Sequence, residues 1–415
     1  MRFLLSRVPL RRGAALGRRL LSSPAAVSLA LPRLARNCRV QLQAGDAAAT
    51  DVEIVPVLSA DDFALRVRAP VAGAADVRSL FSVEEDGAEG GAESVRALRI
   101  AKKSEQELQL QLLLPHTADV DVKLAHGGVT LRGKMEGDVK VVLGRGHIAL
   151  DKARGKSVSL KTNGGGIDVA ALVEGETVRL EASDGIRCKR LMAGRAEVKL
   201  GKGLEAESDF GAIYAATCSV VSTNQSGTAT LRVGNVHGYL RVAGEGLKSV
   251  QVDSVTGSLD VEDSGDKCDV VAHFDSWTND AASSILVGGD VRVSLQPAAP
   301  IDVELHGTKV NVGEGCEFAE SEMDQLDEDY AVFTGELLAQ EGAVAAASSS
   351  SGKINMDSAK DDAMRTSFFM KDSANNADNE DGPKTPRLFV HALSGEVTLD
   401  QLSWMDNIKR KHLKQ

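Results

Sequence analysis

The stretch Val158-Ser159-Leu160-Lys161-Thr162-Asn163-Gly164-Gly165-Gly166-Ile167-Asp168-Val169 decides the fold. Its first five residues alternate in polarity, the period-two mark of a strand with one buried side. Three glycines then turn the chain, and Ile167-Asp168-Val169 starts a second short strand. The same order returns as Val178-Arg179-Leu180-Glu181-Ala182, Gly185 and Ile186-Arg187-Cys188.

Outward from this stretch, the glycines that precede a strand are Gly128, Gly146, Gly166, Gly185, Gly203, Gly227, Gly246 and Gly265, at steps of 18, 20, 19, 18, 24, 19 and 19 residues. A second series, Gly137, Gly155, Gly175, Gly194, Gly238 and Gly257, marks another turn in each unit. One such unit cannot bury the apolar side of its strands, whereas units stacked in register build a continuous core. The pattern therefore predicts an all-β, single-chain β-solenoid of β-helix type with coils of about nineteen residues. A β-sandwich would share the alternation but not the fixed phase of glycine. The 24-residue step predicts a loop inserted around Ala212–Cys218.

The ends lack this regularity. A solenoid exposes an unpaired edge at each end, so caps are expected. Residues 41–117 hold strand candidates without the glycine period and are assigned as a strand-rich N-terminal cap. Coils are assigned to 118–312. Residues 313–415 are assigned as irregular late coils with acidic disordered loops at 317–329 and 357–384 and a short C-terminal cap, with Trp404 as its lid. The basic tail Lys409, Arg410 and Lys411 is also a candidate contact for a membrane surface, a reading that ranks below the cap.

Residues 1–45 contain nine arginines and no acid, against a net charge of −11 for the whole chain. The first forty residues have the makeup of a mitochondrial presequence, and Arg19-Leu20-Leu21-Ser22-Ser23 looks like a matrix-protease cleavage site. A plastid or secretory signal and a plain basic tail are the alternatives. The acidic remainder is a poor match for nucleic acid, which needs clustered Lys and Arg. No segment has the length of uncharged apolar sequence that a spanning helix requires.

The search for chemistry yields no catalytic, cofactor-binding or metal residue. The five cysteines, Cys38, Cys188, Cys218, Cys268 and Cys316, lack paired spacing. Cys188 and Cys268 share a coil position but would stand about 19 Å apart at about 4.8 Å per stacked strand. Gly155-Lys156-Ser157 imitates the end of a phosphate loop without its upstream glycine or following helix. Asp168, Arg187 and Glu205 could form a charge ladder on adjacent coils, a structural pairing more than a catalytic trio. His126 and His147 could meet across coils, though exposed turn histidines are the plainer reading.

The serial Val-x-Leu-x-x-x-x-Gly-x-Ile/Val units, as in Val158 to Ile167, resemble the "putative adhesin" family of domains of unknown function, bacterial β-solenoids, and in particular their mitochondrial relatives in animals. The order of parts supports the likeness: presequence, strand-rich leader, coils, acidic excursions, and an ending with Ser403-Trp404 and a basic tail. The resemblance implies a fold and a compartment, and it carries no catalytic residues. The expected function is a non-enzymatic interaction or scaffold protein of the mitochondrial matrix that binds other proteins. A carbohydrate- or headgroup-active β-helix enzyme is the alternative.

Overall fold

The computed structural model describes residues 27–402, apart from 46–47, 60–61, 69–76, 87–94, 202, 204–205, 224–226, 278–280, 297–299, 328 and 340–384, together with Asp406 and Lys409. The leader strands are β1 (Val27–Ala30), β2 (Leu34–Ala44), β3 (Thr50–Val57), β4 (Ala64–Arg68), β5 (Phe81–Asp86), β6 (Val95–Lys102) and β7 (Leu108–Pro115). The coils follow as β8 (Asp119–His126), β9 (Val129–Met135), β10 (Val139–Arg145), β11 (Ile148–Arg154), β12 (Ser157–Thr162), β13 (Ile167–Ala182), β14 (Ile186–Cys188), β15 (Leu191–Leu200), β16 (Glu207–Ser222), β17 (Ala229–Gly244) and β18 (Leu247–Asp263). The last part holds β19 (Asp269–Ser276), β20 (Ala282–Val287), β21 (Val291–Leu295), β22 (Ile301–Gly307), β23 (Lys309–Val312), β24 (Phe318–Asp327), β25 (Tyr330–Leu337), β26 (Arg387–Ala392) and β27 (Glu396–Gln401).

Apart from β1, β4, β5, β24 and β25, these strands stack in parallel as the two walls of an all-β solenoid. On one wall, identical positions of successive coils form a buried column: Leu110, Val52, Val129, Ile148, Ile167 and Ile186. On the other, Val40, Val120, Val139, Val158, Val178, Ala196, Cys218 and Leu240 do the same. A third column, Val173, Leu191, Ile213, Val236, Val255 and Phe274, fills the corner between the walls. Burying each such aliphatic side chain is worth roughly 1.5–3 kcal/mol, which is why the alternation fixes the register.

Glycine serves the two corners differently. At the open corner, Gly146 has φ +137° and a Cβ there would stand 1.8 Å from the carbonyl oxygen of Gly127 one coil away. Coil-to-coil contact therefore admits no side chain at that point. The second glycine series marks turns only in the early coils, where Gly137 lies between β9 and β10 and Gly155 between β11 and β12. Gly175, Gly194, Gly238 and Gly257 lie inside β13, β15, β17 and β18, as bends in continuous strands. Gly238 pairs with Gly257, both at positive φ.

Several boundaries differ from expectation. Ala212–Cys218 is strand within β16, in unbroken register with β15 but with a one-residue register shift at Ala216 against β17; the other added residues fall between β15 and β16 and between β16 and β17. Residues 41–117 are not simply a cap, because β2 and β3 pair with β8 and β9, and β6 and β7 pair with β2 and β3. The division at residue 40 falls inside β2, whose Cys38, Val40 and Leu42 are buried core. The acidic run 317–329 is largely strand β24, held antiparallel to β25 with Phe318 edge-on to Phe333 at 5.0 Å. The second acidic run, 357–384, and Trp404, Arg410 and Lys411 lie outside the described residues.

Stacking order departs from chain order at both ends. β6–β7 forms the outermost N-terminal coil, so the β2–β3 coil, first in sequence, is threaded between it and β8–β9. At the other end the last coil, β26–β27, is threaded between β20–β21 and β22–β23. Antiparallel strands close the ends: β5 on β6, β4 on β7 with β1 beyond it, and β25 on β22 with β24 beyond it.

Candidate functional site

The C-terminal end of the solenoid gathers the densest outward-facing set of polar and aromatic groups among the described residues. Alternation sends Leu388, Val390, Val303, Leu305, Ala331 and Phe333 inward, so their neighbours point out. Strand register then aligns two rows across β26, β22, β25 and β24: His391, His306, Val332 and Asp324, and Phe389, Glu304, Thr334 and Glu322.

His306 is the centre of this face. Its Nε2 lies 2.8 Å from Oε1 of Glu304, and its Nδ1 lies 2.9 Å from the Tyr330 hydroxyl. With the neutral imidazole protonated on Nε2, that N–H donates to Glu304 and the Tyr330 O–H donates to Nδ1. Phe389 and His391 flank the ring at centroid distances of 5.4 Å each. Desolvation, and then the neighbouring His306, hold the His391 imidazole below its ordinary range. The result is an aromatic platform bordered by carboxylates, suited to binding a cation by charge and by ring faces.

A second set was not legible in the sequence. Ser294 Oγ is 2.8 Å from Nδ1 of His273, and His273 Nε2 is 3.0 Å from Oδ1 of Asp275 but out of line for a hydrogen bond. The grouping has the composition of a nucleophilic triad. A nucleophile must meet its substrate, however, and His273 and Ser294 are only 3% and 5% exposed. The set ties β19 to β21 on the outer side of the wall. Only the register that places His273 opposite Ser294 reveals it.

Asp51 and Glu53 line a shallow depression with Gln109, Gln111 and Thr130. Two carboxylates beside an open groove are what the enzyme alternative requires, yet both are engaged. Asp51 accepts the Gly128 N–H at 2.8 Å, and Glu53 accepts from Gln111 at 2.9 Å and Arg132 at 3.2 Å. They join strands.

The residues singled out in the sequence separate in the structure. The ladder runs through Asp168, Arg187, Asp209 and Arg232, with alternating charge, while Glu205 lies outside the described residues. Asp168 also reaches His147 at 3.1 Å. His126 stands opposite Arg145 and is not paired with His147. All five cysteines are free, and Cys188 and Cys218 are core rungs whose thiols burial pushes up to about 12. Thiols held protonated in this way are poor nucleophiles. Among the described residues no helix is long and apolar enough to cross a membrane, and no group of three or more His, Cys, Asp or Glu is placed to hold a metal ion.

No family model matches the chain, and no curated protein matches it. Two solved structures are similar to it. One is a "putative adhesin" of Bacteroides fragilis, 11% identical, with a TM-score of 0.29 and coverage of 58% of this chain and 96% of that one. The other is a "putative cell adhesion protein" of Clostridium sporogenes, 8% identical, with a TM-score of 0.16 and coverage of 91% of this chain and 100% of that one. At these scores neither likeness carries weight for what this chain does, and the all-β solenoid rests on its own strand pairing.

Proposed function

We propose that this chain is a non-enzymatic interaction protein of mitochondria, and that it binds partner proteins through the outer face of its C-terminal coils. The observation that carries the reading is the Glu304–His306–Tyr330 hydrogen-bonded row set beside Phe389 and His391. Such a row fixes the rotamers of a partly exposed aromatic surface before any partner arrives, which lowers the entropy lost on binding. Aromatic side chains held in this way are the kind that dominate protein interfaces. The compartment is supported by the six arginines and absence of acids in residues 1–26, ahead of β1.

Proximity labelling in intact cells tests both parts. The wild-type chain is compared with a variant carrying Glu304→Gln, His306→Ala and Phe389→Ala that retains the wild-type melting temperature. Reproducible mitochondrial neighbours that disappear with the variant are expected. A labelling pattern identical for the two proteins overturns the assigned face, and an absence of reproducible neighbours overturns the interaction role itself.

A further inference from the structure

We infer that the free edge of β24 takes an added strand from a basic, extended segment of a partner protein; this rests on the interaction reading above and names the partner's chemistry. Nine of the ten residues of β24 are exposed, and among the described residues β25 is its one strand partner. Its other edge therefore presents a row of backbone donors and acceptors, which is a template for strand addition.

The two faces of this edge differ. On the outer face Glu322 and Asp324 continue the rows of Glu304 and His306. On the inner side Met323 stands opposite buried Phe333, continuing the core beyond the last coil, and is 50% exposed. Between Val312 and Gln340 the chain contains no Lys or Arg. Among the described residues the four carboxylates of β24, Glu320, Glu322, Asp324 and Asp327, form no salt bridge.

This arrangement selects the occupant. A second copy of β24 would bring acids against acids, and like charges directly opposite are destabilising. A strand with Lys or Arg at alternate positions would place its cations along Glu322 and Asp324, and its intervening apolar residues beside Met323. Period two is required, because only alternation sends charge to one face and apolar groups to the other.

The test uses the full chain and three synthetic peptides: one alternating Lys and Val, one of the same composition with the lysines and valines in separate blocks, and an alternating peptide N-methylated along one edge. Binding is read by fluorescence anisotropy at physiological salt. The alternating peptide is expected to bind, and blocking its backbone donors should weaken binding about tenfold, the equivalent of one or two hydrogen bonds. The exposed charge reversal Glu322→Lys with Asp324→Lys should weaken it by at least as much, with an unchanged melting temperature. Equal binding of all three peptides means charge attraction only and overturns the proposal, as does concentration-dependent self-association that the charge reversal abolishes. Failure of every peptide also overturns it, whereas the labelling experiment above still reports on the interaction role independently.

Discussion

The middle coils and the C-terminal end are made of the same strands, yet they differ in what their surfaces can do. From β8 to β18 the coils repeat, and several of their outward charges pair across neighbouring coils, as with Arg154 and Glu174 at 2.7 Å or Lys161 and Glu181 at 2.8 Å. At the C-terminal end the repeat is broken by the threaded β26–β27 coil and the antiparallel β25–β24 pair. There aromatic rings collect on one face with Glu322 and Asp324, which form no salt bridge among the described residues. A regular stack pairs its surface with itself, and a site becomes available where regularity stops.

The strongest way to break this contrast is at the glycine corner. Gly146→Val should cost more than about 4 kcal/mol or prevent folding, because both its positive φ and the carbonyl of Gly127 oppose a side chain. Gly45→Ala, where a Cβ would meet nothing within 4 Å, is the control and should change chemical-denaturation midpoints little. If both behave alike, the close approach of coils is not what the glycines serve.

Next in size, Leu42→Ala should destabilise by about 2–5 kcal/mol, since Leu42 is fully buried in the threaded first coil. A chain starting at residue 41 should lose the buried Leu34, Cys38 and Val40 of β2 and refold poorly, whereas one starting at residue 27 should unfold at the wild-type urea midpoint. Equal stability of the two would show that β2 is dispensable.

Smaller again is a pH effect at the C-terminal face. Burial and His306 lower the His391 pKa in the folded chain, so the unfolded chain takes up this proton first. Stability should be unaffected above the ordinary value of 6.5 and should fall as pH drops below it. His391→Phe should flatten that part of the profile, as followed by thermal melts between pH 7 and pH 5. A profile unchanged by the substitution would remove His391 as the cause.

The smallest stability effect is expected at β24. Met323→Ser removes an exposed side chain and should shift the melting temperature little, while it weakens binding of the alternating peptide. A large loss of stability would instead make Met323 part of the core.

The sequence carried the walls well and the ends poorly. Val158 to Val169 contained the strand, the turn and the next strand, because alternation and glycine are local signals. A longer glycine step says that residues are added but not where, so Ala212–Cys218 reads as a loop although it is strand with a single register shift at Ala216. The acidic run at 317–329 looked mobile because composition does not record that Phe318 meets Phe333 or that β25 supplies a partner.

By itself, then, the sequence determined an all-β solenoid with coils of about nineteen residues, since period-two burial and glycine phase repeat along the chain. Only the tertiary structure decided that the first and last coils are threaded inside their neighbours, and that Glu304, His306, Tyr330, Phe389 and His391 share a face. The physical reason is that these pairings join residues separated by tens of positions, such as His306 and His391. A parallel strand at the end of a stack can accept any coil of matching register, and no local pattern states which one arrives.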